Sequence, residues 1–403
     1  YPWLTIGNLL EDSIIELPYN IDNSKFITCG AKKHLIPLTP TFFKFFKAEN
    51  VSKYLTLVEL TAGSIEATLK IPTRKGEIIF KKLYRAQSSQ IIKLELHLAI
   101  LPFVRTTKMN LEYTIGIQDK RFDRNQELVV ECFNGKTKID ISTPVVRKHG
   151  EGNTTKNTYF KSNEFDAIRL SGSFVNGFIV PLFKNGDGTN QISFAIDFGT
   201  TNTHIEYKYG NNSETAIDNN NDLPMWQSLI DRYSSDNIQI VDDNIFEREI
   251  FPYQFNPNTD YKFPFRTALT YNQNIDFNVA KVFTHTNNFF LLEKLFYPTY
   301  LKLHTKLKWS NYSSDDDKFL VNSYIKGLLH LVLYKTLLLQ CDPKKTRITW
   351  FYPVSMDSFE KGIFIESWEK SYKEVFQMDN NNNINVIPES IAPYLKYRGE
   401  YPG

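Results

Sequence analysis

The sequence predicts a multidomain α+β protein in which an antiparallel β-rich half, residues 1–190, precedes an α/β half, residues 191–403. Three observations lead there. Up to about Asn190, one segment after another is rich in β-branched and aromatic residues with partial alternation, the period-two pattern of half-buried strands. The run KNGDGTNQ, residues 184–191, concentrates turn-forming residues and marks the boundary. Beyond it, strand-like apolar runs mix with longer helical patterns and carry chemistry at their ends, as an α/β layer does. A chain of 403 residues has room for two or three bodies, each with its own core.

In the first half, KYLTLVEL, SIEATLKI, EIIFKKLY, IIKLELHLAI, LEYTIGIQ, ELVVECF and DAIRLSGSF are the predicted strands. Turns such as TRKGE and FNGKT separate them, so an antiparallel sandwich or barrel is expected. ISFAIDF and HIEYKY then read as a hairpin, and RTALTY as another strand. From about Asp316 to Gln340 a long helix is expected, with acids in its first turn, where the helix dipole favours them. Within it Lys318, Asn322, Lys326 and His330 recur every fourth residue as one polar stripe, so FLVNSYIKGLLHLVLYKTLLLQ reads as a buried helix rather than a membrane span. RITWFYPV is the next strand, SFEKGIFIESWEKSYKEVF a helix with its aromatics on one face, and NINVIPES a strand that ends on a carboxylate. There is no internal repeat, and the asparagine-rich NNNDLP and MDNNNNIN read as exposed loops.

Hydrophobic content of 41%, charged content of 23% and a net charge of +2 are ordinary for a globular protein. They give no electrostatic reason to expect nucleic acid, so any anion site must be local. Cys29, Cys132 and Cys341 are odd in number and lack C-x-x-C spacing, which argues against a disulfide framework and a zinc site and fits a reducing, cytoplasmic setting. The histidines form no H-x-x-x-H or H-E-x-x-H pair. Asp315, Asp316 and Asp317 read as a solvated charge cluster at a helix start, not as metal ligands. The start, YPWLTIGNLLEDSIIELP, has no basic leader before an apolar run, so no signal peptide is expected. It also lacks an initiator methionine, and the sequence is expected to be a fragment or a processed piece.

The chemistry concentrates in FAIDFGTTNT, residues 194–203. A nucleotide tail must be held by oriented N–H donors, hydroxyls and usually Mg²⁺. A backbone turning through Phe198, Gly199, Thr200 and Thr201 can point successive N–H groups into one concavity, because Gly199 lets the chain approach without a side chain intervening. Asp197 ends the strand where it can hold a water of a magnesium shell, and the threonines add hydroxyl donors.

The order and spacing of residues 191–403 resemble the actin-like ATPase superfamily of actins, sugar kinases and heat-shock chaperones, and within it the nucleotide-binding domain of the seventy-kilodalton heat-shock chaperones. DFGTTNT is similar to the first-phosphate hairpin D-x-G-T-T-N-S of that family, which makes Asn202 part of the cofactor-binding set with Gly199, Thr200 and Thr201. RTALTY stands more loosely for P-S-x-V-A-F. HTKLKWS resembles the segment A-K-R-L-I-G, placing Lys306 as the lysine that reaches the terminal phosphate, with Lys308 as its competitor. VIPESIAPYLKYRG looks like I-N-E-P-T-A-A-A-L-A-Y-G, which places Glu389 toward the magnesium shell and the attacking water.

The resemblance implies the first lobe of an actin-like, ribonuclease H-like fold, with ATP and Mg²⁺ as cofactors, Asp197 and Glu389 holding the metal through water, and Glu389, Lys306 and Asp197 as the catalytic set. A long insertion over about 211–262 and Pro393 depart from the family pattern, and the chain stops before the second-phosphate motif D-x-G-G-G-T. This piece alone is therefore expected to be inactive. The expected function is a chaperone-like ATPase that couples nucleotide state to an attached module, with a protein partner on the β-rich half. The alternatives are a nucleotide-sensing scaffold with little turnover and a sugar-kinase-like phosphotransferase, the latter without a visible acidic base.

Overall fold

The computed structural model describes residues 4–119, 128–149, 155–172, 175–217, 225–231, 265–272, 274–288 and 301–394. The chain forms two compact units with several sheets in a mixed α/β arrangement. The first comprises Tyr1–Leu101, Leu111–Phe183 and Gln227–Asp242, and the second Pro102–Asn110, Lys184–Trp226 and Asp243–Gly403. The junction thus falls at Phe183/Lys184 instead of at residue 190, and each unit takes a short excursion from the other's stretch of sequence. Hydrogen bonding explains the shift. Val104–Arg105 pairs in parallel with Lys184–Asn185, and Asp187 accepts bonds from Thr106 Oγ1 (2.7 Å), Thr107 N (2.8 Å) and Thr107 Oγ1 (2.9 Å). The turn-rich run is therefore pinned within the second unit.

In the first unit, β1 (Leu55–Glu59), β2 (Ile65–Thr73) and β3 (Gly76–Tyr84) make an antiparallel meander. A five-stranded antiparallel sheet contains β4 (Leu96–Leu101), β5 (Tyr113–Asp119), β6 (Val145–His149), β7 (Thr155–Ser162) and Gln227–Ser228. A four-stranded antiparallel sheet joins Thr137–Ile139, Val129–Asn134, Ala167–Ser171 and Asn176–Ile179. Two features depart from the expected pattern. Ile14–Glu16 pairs with Ile91–Lys93 in parallel, and the run IIKLELHLAI is split, its first part in that pair and its second part forming β4. The split occurs at Leu94, whose N–H donates to Glu16 O (2.9 Å) and whose side chain is buried. A core of Phe42, Leu57, Leu69, Tyr84 and Phe178, with neighbouring apolar residues, underlies the meander.

The second unit is built on β8 (Ile192–Phe198), β9 (Asn202–Tyr209), Thr215–Ala216, β10 (Arg347–Tyr352) and β11 (Ile384–Pro388). Their spatial order is Thr215–Ala216, β9, β8, β10, β11. The first three pair antiparallel with one another, whereas β8, β10 and β11 run parallel. Two helices, α1 (Asp315–Leu338) and α2 (Ser358–Phe376), contribute to the packing of this sheet. Phe198 meets Tyr324, Phe364 and Trp368 with ring centroids 5.4, 5.3 and 6.1 Å away, and Trp350 stacks on Trp368 at 4.9 Å. Alternation along β8 thus buries Phe194, Ile196 and Phe198 and leaves Asp197 exposed.

Helix α1 begins as the acid-rich start predicts: Ser314 Oγ accepts from Asp317 N, and Lys318 pairs with Asp315. Lys318, Asn322, Lys326 and His330 are half-buried among mostly buried neighbours. No helix among the described residues is long and apolar enough to cross a membrane. RTALTY does not form one strand. Phe265–Arg266 pairs with β9, while Ala268–Asn272 is the middle strand of a separate three-stranded sheet with Thr286–Asn288 and Leu301–Thr305. NNNDLP at 219–224 and most of the 211–262 insertion lie outside the described residues.

Candidate phosphate and metal site

Parallel pairing aligns the carboxyl ends of β8, β10 and β11. Ile196 is level with Trp350, Trp350 with Val386, and Tyr352 with Pro388, so Asp197 and Glu389 emerge at the same end of the sheet. The link is electrostatic as well: Asp197 is exposed by surface area, yet its carboxyl is pushed above the usual carboxylate range, first by loss of water and then by the Glu389 charge. Lys308 and His204 act in the opposite direction. His204 lies opposite Asp197 across the hairpin, and its Nε2 is 2.9 Å from Glu206 Oε1.

Lys308 makes an ion pair with Glu389. Its side chain is only 4% exposed, against 38% for Glu389. Burying a lysine is costly unless its ammonium is partnered, so this pair fixes Lys308 at the strand ends. Lys306 lies elsewhere. It is exposed, stands in the left-handed region at φ 59°, and makes no hydrogen bond or ion pair to Asp197 or Glu389. That residue ends Leu301–Thr305 and starts the short turn Leu307–Trp309, which swings Lys308 inward. Of the two lysines in HTKLKWS, the structure brings Lys308 to the predicted carboxylate.

The turn between β8 and β9 is held from outside. Thr267 Oγ1 donates to Gly199 O (2.7 Å) and Thr267 N to Thr201 O (2.9 Å). Trp309 Nε1 donates to Thr200 Oγ1 (3.0 Å). Behind them, the Tyr324 hydroxyl is 2.9 Å from both Thr203 Oγ1 and Arg266 O, and Thr203 and Thr267 share a hydroxyl contact of 2.9 Å. Arg266 Nη1 donates to Asn202 Oδ1 (3.4 Å), drawing that side chain toward Phe265–Arg266. A Cβ at Gly199 would come within 2.4 Å of Asn202 O, so only glycine fits the hairpin as built. The N–H groups of Thr200 and Thr201 make no backbone hydrogen bond, leaving two donors on an exposed turn.

These residues suit a phosphate with a hydrated divalent cation. The Glu389 charge disfavours the charged form of Asp197, and Lys308 and His204 offset this only in part; a cation relieves such repulsion. Asp315–Asp317 are used in the helix start, and no cluster of three or more metal-ligating side chains occurs among the described residues. Cys29, Cys132 and Cys341 are free thiols, and burial pushes them up to about 12, 11 and 11 respectively.

Sequence reasoning missed Thr267, Trp309 and Tyr324. Thr267 sat inside a segment read as one strand, and Trp309 and Tyr324 belong to elements whose contact with the hairpin exists only in the folded unit. No family model, curated protein or solved structure matches this chain.

Proposed function

We propose that the second unit is the phosphate-gripping lobe of an actin-like ATPase of the heat-shock chaperone type, which takes ATP with Mg²⁺ and couples nucleotide state to an attached module. The observation that carries this reading is the meeting of Asp197, Lys308 and Glu389 at the carboxyl ends of parallel strands, with the Gly199–Thr201 turn at the end of β8. Ligands of α/β sheets bind at such ends. The order of two antiparallel neighbours, a first strand and two parallel strands, with α1 before β10 and α2 between β10 and β11, supports the ribonuclease H-like fold that the motif order implies.

In this reading the free N–H groups of Thr200 and Thr201 and the Thr200 hydroxyl hold phosphate oxygens. Lys308 takes the place that the motif alignment assigns to Lys306 and stabilises charge on the transferring group. Asp197 and Glu389 hold water of the metal shell, and Glu389 also orients the attacking water. Mg²⁺, when bound, supplies positive charge to the phosphate oxygens. The Lys308–Glu389 pair also favours a second reading, a nucleotide sensor with little turnover, because the carboxylate needed for hydrolysis is engaged by an ammonium. The β-rich unit is the partner-binding module in both.

Calorimetric titration of MgATP into the whole protein, alongside single-turnover phosphate release, tests the reading. Asp197→Ala and Lys308→Met should each weaken MgATP at least about tenfold. Glu389→Gln should retain nucleotide yet turn over on the order of a hundredfold more slowly. Tight MgATP binding without phosphate release in the parent selects the sensor. Absence of MgATP binding, or parental affinity in both Asp197→Ala and Lys308→Met, overturns both.

A further inference from the structure

We infer that the outer edge of β3 is a docking site for an extended, acidic peptide segment of a partner protein, which adds a strand to the meander β1–β2–β3. The observations lie entirely within the first unit and are independent of the nucleotide reading. Strand β3 is an edge: it pairs with β2 on one side, and no further strand pairs with its other side among the described residues. Its Tyr84 end is occupied, since Tyr84 OH donates to Glu11 O (2.9 Å) and Lys82 pairs with Asp12 (2.7 Å). From Gly76 to Lys81 the strand runs clear of that anchor, about 20 Å of backbone.

Two properties of this stretch specify the occupant. It is apolar where solvent meets it: Ile78 is 50% and Ile79 54% exposed, and Leu83 and Val58 are also exposed. Register places Ile79 beside Lys70 and Leu83 beside Glu66, whose other neighbour is Val58, giving one surface of mixed apolar and basic character. The hairpin is also strongly basic. Over residues 64–85, Lys70, Arg74, Lys75, Lys81, Lys82 and Arg85 stand against Glu66 and Glu77, and with Lys81 paired to Glu66 (3.0 Å) and Lys82 to Asp12, Lys70, Arg74, Lys75 and Arg85 remain against Glu77, although the whole chain carries only +2.

An unpaired strand edge offers alternating N–H and C=O groups to any extended chain, and charge decides which chain is accepted. Pairing of β3 with β3 of a second copy is the competing occupant of this edge, and it is read out below as dimerisation. A segment alternating Asp or Glu with β-branched residues satisfies all three demands: edge hydrogen bonds, contact with Ile79 and Leu83, and neutralisation of Lys70, Arg74 and Lys75.

The probe is an array of ten-residue synthetic peptides that alternate Asp, Glu, Lys or Arg with Val, Ile, Thr or Tyr, screened against the 403-residue chain by fluorescence polarisation. Acidic members should bind, their affinity falling as NaCl is raised, and proline at alternate positions should abolish binding. The double variant Ile79→Glu, Lys81→Glu should lose at least tenfold in affinity with an unchanged circular dichroism spectrum, because both side chains are exposed. Ile79→Thr, which keeps the charge and the β propensity, should give an intermediate loss. The inference is overturned if no peptide binds, if basic peptides bind as well as acidic ones, or if the double variant binds like the parent. It is equally overturned if the chain sediments with phosphatidylserine vesicles while ignoring the peptides, or if it dimerises through an interface that the double variant removes.

Discussion

The hairpins β2–β3 and β8–β9 are both antiparallel, yet opposite things surround them. In β8–β9 the turn is tied by Thr267 and Trp309, β8 lies between β9 and β10, and Phe198 is enclosed by Tyr324, Phe364 and Trp368. In β2–β3 the residues around the turn are exposed and β3 is an edge. The contrast teaches that strand pairing alone does not make a site. If the β8–β9 turn grips an anion and the β3 edge takes up a strand, as proposed, the first use needs a geometry imposed by neighbouring elements and the second a backbone left open.

Substituting one apolar residue in each hairpin tests the contrast most strongly. Phe198→Ala should cost about 3–5 kcal/mol, since it removes a fully enclosed ring, and Ile79→Ala should stay within about 0.5 kcal/mol. Hydrogen exchange at β8 and β3 amides reads the two effects separately. Equal losses would mean that Ile79 is enclosed in the native protein and that β3 is not a free edge.

A smaller effect comes from the turn glycines. Gly199→Ala places a Cβ 2.4 Å from Asn202 O and should cost about 2–3 kcal/mol, with faster exchange at the Thr267 amide, because backbone must yield. Gly76, at φ +133°, has nothing within 4 Å of an added Cβ, so Gly76→Ala should introduce about 1–2 kcal/mol of local strain. Its consequences should remain near Arg74–Glu77. Urea midpoints together with site-resolved exchange distinguish the two, and a Gly199→Ala protein as stable as the parent would show the turn to be loosely held.

The smallest effect is electrostatic. A carboxyl whose folded pKa lies above its unfolded value contributes stability below the unfolded pKa and loses it as pH rises through the folded pKa. Asp197 is such a group, so its charged form is a cost at neutral pH. Asp197→Asn should therefore raise Tm at pH 7, by no more than about 2 °C given its exposure, and give no gain near pH 3. A lower Tm at pH 7 would show that the carboxylate already has adequate partners.

Much of the second unit was legible in the sequence. Both long helices, β8 and β9, β10 and the strand ending at Glu389 follow from periodicity, helix-start residues and turn residues, all of which act within a few positions along the chain. Asp197, Gly199, Thr200 and Thr201 share one turn and could be read together for the same reason. The ion pair of Lys308 with Glu389 could not. Lys306 and Lys308 differ by the two residues that a left-handed kink at Lys306 converts from outward to inward, and no local pattern announces a non-glycine residue in that conformation. In the first unit the strand segments were visible, but the parallel pair Ile14–Glu16 with Ile91–Lys93 joins residues far apart in sequence.

By itself, then, the sequence determined the local conformations: which segments extend, which coil, and where an acid, a glycine and two threonines share a turn. Tertiary structure decided the partners. It paired the buried Lys308 ammonium with the Glu389 carboxylate, drew Thr267 and Trp309 onto the turn, and broke IIKLELHLAI between two sheets. These outcomes depend on burial and on hydrogen bonds between residues distant in the chain, and such free energies exist only once the elements have packed.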